Sequence, residues 1–99
     1  MRVTFTQAAE ADLEGIGNFI AADDPLRAES FVGELVERCL GLAHHPLRHP
    51  LFVARAGREI RRFPHGNYVI FYSVLTDAVE IDHIVHAARD HIRMLFPEG

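Results

Sequence analysis

The chain has 99 residues, 48% of them hydrophobic, which suits one compact domain over residues 1–99 that buries roughly 60 to 65% of the surface of its unfolded chain. Its formal charge is -4 and every one of its ten basic residues is arginine, which excludes the overall basic footprint of a protein that holds nucleic acid chiefly through phosphates. A single cysteine, Cys39, excludes an internal disulfide, and there is no run of about 18 apolar residues for a membrane span.

Arg2 to Phe5 alternates polar and apolar residues at period two, as a short strand does with Val3 and Phe5 on its buried face. Thr6 offers a hydroxyl to cap a helix, and the chain is already polar at Gln7, so no signal-peptide core is expected and the expected location is the cytoplasm. Ala9, Leu13, Ile16 and Ile20 then recur at helical spacing with Glu10, Asp12 and Glu14 off the stripe, which predicts an amphipathic helix ending near Ala22.

Asp24 is a favoured N-cap and Pro25 suits the first helical position, so a second helix is expected from Pro25 to about Ala43. Its apolar stripe includes Ala28, Phe31, Leu35, Cys39 and Leu42. Cys39 therefore reads as a buried small hydrophobe. Two helices joined so tightly form a hairpin, and each has one face to bury against a sheet.

His44 to Gly57 contains Pro46 and Pro50 and keeps no period, which predicts a loop or an irregular crossing segment. Strand character resumes from Arg58 to Phe63, followed by the turn cluster Pro64-His65-Gly66-Asn67. Tyr68 to Val74 is aromatic and β-branched on both faces, the mark of a central strand covered on both sides. A last strand follows from Val79 to His86, and Ala87 to Phe96 fits a short terminal helix stopped by Pro97. The predicted class is α+β in the order β-α-α-β-β-β. It gives an antiparallel-rich sheet with the helical hairpin on one face.

Three groups of residues invite chemistry. His44, His45 and His49 sit in a proline-containing loop without ligand periodicity or a helping carboxylate, so no metal site and no cofactor is expected. Arg58 and Arg62 should share one face of their strand with Ile60, while Arg61 and Phe63 share the other. These arginines either grip phosphates or carboxylates, or pair with Glu59, Glu80 or Asp82 across the sheet. His86, Arg89, Asp90 and His91 gather where the last strand ends. A histidine base and an arginine there would make a metal-independent ribonuclease, with Tyr68 or Tyr72 as a further donor. Alternatively Arg89 and Asp90 anchor the tail by charge-paired hydrogen bonds.

The ordered series Ala11-Asp12-Leu13, Phe19-Ile20, Pro25, Ile60-Arg61, Gly66-Asn67-Tyr68-Val69-Ile70-Phe71-Tyr72, Val79-Glu80-Ile81 and His86-Ala87-Ala88-Arg89-Asp90 resembles the ParE branch of the RelE/ParE toxins. These are the small poisons of bacterial toxin-antitoxin pairs. The resemblance implies a toxin that binds DNA gyrase and stabilises a cleaved gyrase-DNA complex, and that a ParD-like antitoxin neutralises in a hetero-oligomer. On that reading the chain does no chemistry of its own and reads no nucleic-acid sequence. Arg58, Arg61, Arg62 and Arg89 would then contact the target or the antitoxin.

RelE- and YoeB-like relatives are instead ribosome-dependent messenger endonucleases. That alternative would use Arg61, His86, Arg89 and His91. The RelE lysines have no counterpart, however, and Ile92 stands where a terminal tyrosine is expected.

Overall fold

The computed structural model describes residues 1–98. The chain runs β1 (Arg2–Phe5), α1 (Gln7–Ala21), α2 (Pro25–Leu40), a 3-10 turn (Gly41–Ala43), β2 (Leu51–Arg55), β3 (Arg58–His65), β4 (Tyr68–Val74), β5 (Ala78–His86) and α3 (His91–Leu95). The five strands lie in the order β1-β5-β4-β3-β2. β1 runs parallel to β5 and the other neighbours are antiparallel. The class is α+β, as the periodicities predict.

Both hairpin helices start at the caps read from the sequence. The Thr6 side chain accepts a hydrogen bond from the Ala9 N–H at 3.0 Å, and Asp24 accepts one from the Arg27 N–H at 3.0 Å. Each satisfies a donor that the first helical turn leaves unpaired. The apolar stripes of the two helices meet Phe63, Ile70, Tyr72, Val79, Ile81 and Ile84 in the main core. A polar chain secures this packing at the edge: Arg38 donates to His65 Nδ1 at 3.1 Å, and His65 Nε2 lies 3.2 Å from Glu34. A guanidinium can only donate, so Nδ1 is the acceptor and Nε2 carries the proton.

The other face of β4 is covered as well. Ile60, Val69, Phe71 and Val85 form a second cluster with Leu95 of α3, flanked by Phe52, Val53, Met94 and Phe96. β4 is thus the central strand covered on both sides that its composition predicts, with helices on one face and the tail on the other.

Three parts differ from the sequence reading. β3 runs on through Pro64 and His65, which pair with Val69 and Tyr68, so the turn cluster shrinks to Gly66-Asn67. The segment predicted as an irregular crossing contains β2, which pairs with β3. Its register shifts between Leu51 and Val53, and Phe52 and Val53 both pack on the second cluster, so the period-two signature is erased. The β2–β3 turn is Ala56-Gly57, with φ of 54° and 75°. A two-residue hairpin of this kind usually announces itself with Asn-Gly, and alanine hides it.

The terminal helix is also shorter than Ala87 to Phe96. The Ala87 N–H bonds to the Asn67 carbonyl and the Arg89 N–H to the His86 carbonyl, which makes a turn first. Asp90 then caps α3 by accepting from the Arg93 N–H at 3.2 Å.

Candidate functional site

Alternation along β3 divides its arginines as the sequence predicts. Arg58 and Arg62 lie with Ile60 on the open face, away from the helical hairpin, where Arg62 stacks over Phe52 at 4.1 Å. Arg55 of β2 is the Cα partner of Arg58, and both guanidiniums lie over Phe96, at 4.9 and 5.6 Å. Cation–π contact fixes these long side chains and keeps their charge near water.

Beneath them is a buried carboxylate. Asp82 is 3% exposed, accepts from the Ser73 hydroxyl at 2.6 Å, and lies 3.4 Å from Arg58. Burial pushes its acid group up to about 6, with Glu80 adding to the rise and Ser73 and Arg58 opposing it. The β4–β5 register shifts here, between Phe71 and Tyr72, so Asp82 is the extra residue of a bulge. The pairing of Arg58 with Asp82 is one of the cross-sheet alternatives read from the sequence. Arg61 and Arg62 make no ion pair with a carboxylate among the described residues.

Arg61 points to the helix side and donates to the His49 carbonyl at 2.7 Å. Tyr72, its register partner, donates to the Pro46 carbonyl at 2.8 Å. The two side chains together tie the connector between α2 and β2 to the sheet. His49 stacks on Phe63 at 4.1 Å, and burial, with Arg48 and Arg38 nearby, holds its pKa below the ordinary histidine value. His44 and His45 remain in the connector, and among the described residues no three His, Cys, Asp or Glu side chains gather to hold a metal ion. Burial raises the Cys39 thiol to about 12, so it is a core side chain and not a nucleophile.

At the far end of β4, His86 packs edge-on against Tyr68 at 5.5 Å and its Nδ1 accepts from the Ala88 N–H. Arg89 is exposed and its guanidinium reaches the Met94 sulfur at 3.3 Å. The charge-paired anchoring weighed for Arg89 and Asp90 is absent among the described residues, since Asp90 is spent on capping α3. A groove of about 410 Å³ opens beside Arg89, lined by Gly15, Phe19, Tyr68 and His86. Phe19 is 76% exposed along it.

A family model described as ParE toxin of type II toxin-antitoxin system, parDE, matches residues 3–91. The chain belongs to the ParE toxin family. Its fold is similar to that of a structure titled as a chromosomal ParDE system from P. aeruginosa, with a TM-score of 0.73 at 19% identity over 87% of this chain and 95% of that one. It is also similar to the RelBE2 toxin-antitoxin complex from Mycobacterium tuberculosis, with a TM-score of 0.63 at 24% identity over 86% and 95%. A comparison with curated protein sequences finds no match.

In this ParE-family chain the ribonuclease set does not converge. Arg61 faces the helices and is four residues along β4 from His86, judging by their partners Tyr72 and Tyr68, a separation of roughly 13 Å at the strand rise. His91 packs on the open face, 4.9 Å from Phe71, with its Nε2 3.4 Å from the His86 carbonyl. No place touches all four side chains.

The ParE-family sequence also conceals three site residues. Arg55 sits in the unrecognised β2, and Phe52 and Phe96 meet the arginines only through tertiary packing. A further residue, Asp12, leaves the helix stripe for a purpose: one carboxylate oxygen accepts from the Ile84 N–H at 2.9 Å and faces His83 Nδ1 at 2.9 Å. It satisfies the edge of β5 where β1 has ended.

Proposed function

We propose that this type II toxin inhibits DNA gyrase by binding and stabilising a cleaved gyrase-DNA complex, and that a ParD-like antitoxin neutralises it in the cytoplasm. The match of residues 3–91 to the ParE family carries the reading, and the separation of Arg61 from His86, Arg89 and His91 supports binding over catalysis. Such a toxin acts by shifting a population: it must hold the cleaved state more tightly than the resealed one.

Arg58, Arg62 and Arg89 are the exposed cations assigned to partner contact. Arg61 contributes by holding the connector, whose His49 and Pro50 line a pocket with Arg62. The groove beside Phe19 suits an apolar antitoxin segment, in the helix-in-groove manner. The solved ParDE and RelBE2 neighbours, both titled as toxin-antitoxin systems, favour such a partner.

Induction without antitoxin in a bacterial host tests the target. The expected outcome is a DNA-damage response and filamentation with intact messenger RNA. Rapid messenger cleavage with unbroken chromosomes would overturn the gyrase reading in favour of a RelE-like ribonuclease.

A further inference from the structure

The charge of -4 is unevenly spread. The helical hairpin, Gln7 to Leu40, carries eight carboxylates and two arginines, and the rest of the chain carries six carboxylates and eight arginines. The hairpin covers only one face of the sheet, so its acidity is gathered on that side. What a face attracts depends on its local field and not on the net charge of the molecule.

On the open face Arg55 and Arg58 are Cα partners, and Arg62 stands four residues further along β3, roughly 13 Å away at the strand rise. Each guanidinium lies against a phenylalanine ring. Such stacking occupies one face of the planar group and leaves the N–H edge and the outer face of Arg55 and Arg62 available, whereas Arg58 also lies 3.4 Å from Asp82. Among the described residues Arg55 and Arg62 make no ion pair with a carboxylate. They are oriented cations without an anion.

A ligand that matches this arrangement has anions at intervals along an extended chain and flat rings between them. Single-stranded nucleic acid offers both: phosphates accept from the guanidinium edges, and bases stack on the outer faces. An acidic peptide supplies the anions without the rings, and a duplex keeps its bases inside the stack. We infer that the open face around Arg55, Arg58 and Arg62 binds single-stranded nucleic acid without reading its sequence. This activity is separate from gyrase inhibition and is measurable with no gyrase present.

Fluorescence anisotropy of a labelled single-stranded DNA of about 12 nucleotides, titrated with the purified full-length chain, provides the test. Two phosphate contacts, at the unpaired Arg55 and Arg62, predict that log K falls against log salt with a slope of about -1.4. Arg55→Glu combined with Arg62→Glu should weaken binding about tenfold or more and flatten that slope. Arg2→Glu, a single charge reversal at the opposite edge of the sheet, should alter binding by less than about twofold, and Arg62→Glu alone should weaken it by more than that.

Arg62→Lys keeps the charge and the fold but loses the planar stack, so it should bind several-fold more weakly than the unaltered chain. Melting curves of every variant separate weak binding from unfolding. No binding at about 50 mM salt, an equal loss with Arg2→Glu, or tighter binding to poly-glutamate of the same length would each overturn the inference.

Discussion

Asp82 shows how burial makes one side chain sensitive to pH. Its acid group titrates near 6 in the folded protein, above an ordinary carboxyl, so the folded state takes up a proton more readily than the unfolded chain does. The stabilisation is complete below the unfolded value and is lost as pH rises through about 6, an effect on the order of 2 to 3 kcal/mol. Asp82→Asn removes the ionisation and keeps an acceptor for Ser73. In urea unfolding, the stability of the unaltered chain relative to this variant should therefore rise as the buffer is taken from pH 7.5 to pH 5. A gap that stays constant across that range would refute the assignment.

Arg61 illustrates a different point. Its hydrogen bond to the His49 carbonyl, like that of Tyr72 to the Pro46 carbonyl, holds a segment that has no regular structure of its own until β2 begins. Arg61→Ala and Tyr72→Phe should each cost about 0.5 to 1.5 kcal/mol. Both should increase proteolytic cutting between His44 and Pro50, whereas Arg62→Ala should not. A loss of toxicity in Arg61→Ala therefore reports on function only when that segment remains protected.

At the scale of elements, what was legible followed periodicity and caps. α1, α2 and β4 have unbroken stripes and begin where Thr6, Asp24 and the Gly66-Asn67 turn place them. Gly66 has φ of 59°, the conformation that a two-residue hairpin reserves for glycine at that position. The faces of Arg58, Arg61 and Arg62 followed from alternation alone. β2 was not legible, because its bulge turns Phe52 and Val53 into the same cluster and Ala56 occupies a left-handed position without the usual residue.

The arginine–phenylalanine contacts were not legible either. They join β2, β3 and the tail, which no local spacing relates. The turn gives a prediction at this scale. Ala56→Asn retains the left-handed geometry at lower cost and should stabilise the domain by about 0.5 to 1 kcal/mol, seen as a rise of a few degrees in Tm. A fall in Tm would mean that the turn does not hold that conformation.

In the whole molecule, the two sides of the sheet have separate duties. The hairpin side holds the larger core and most of the carboxylates, and the open side holds the smaller core, the buried Asp82 and the stacked arginines. The two sides are joined at β5, which supplies Ile81 and Ile84 to one cluster and Val85 to the other. Its neighbour on one side is β4, made just before it, and on the other β1, made first of all. The parallel pairing of β1 with β5 has a consequence for synthesis. A ribosome adds residues at roughly 5 to 20 per second, and a nascent chain that has already released α1 and α2 still has no strand on which to seat β1 or close the main core. The folded surface that any partner would recognise therefore comes into being late, once β5 has left the exit tunnel.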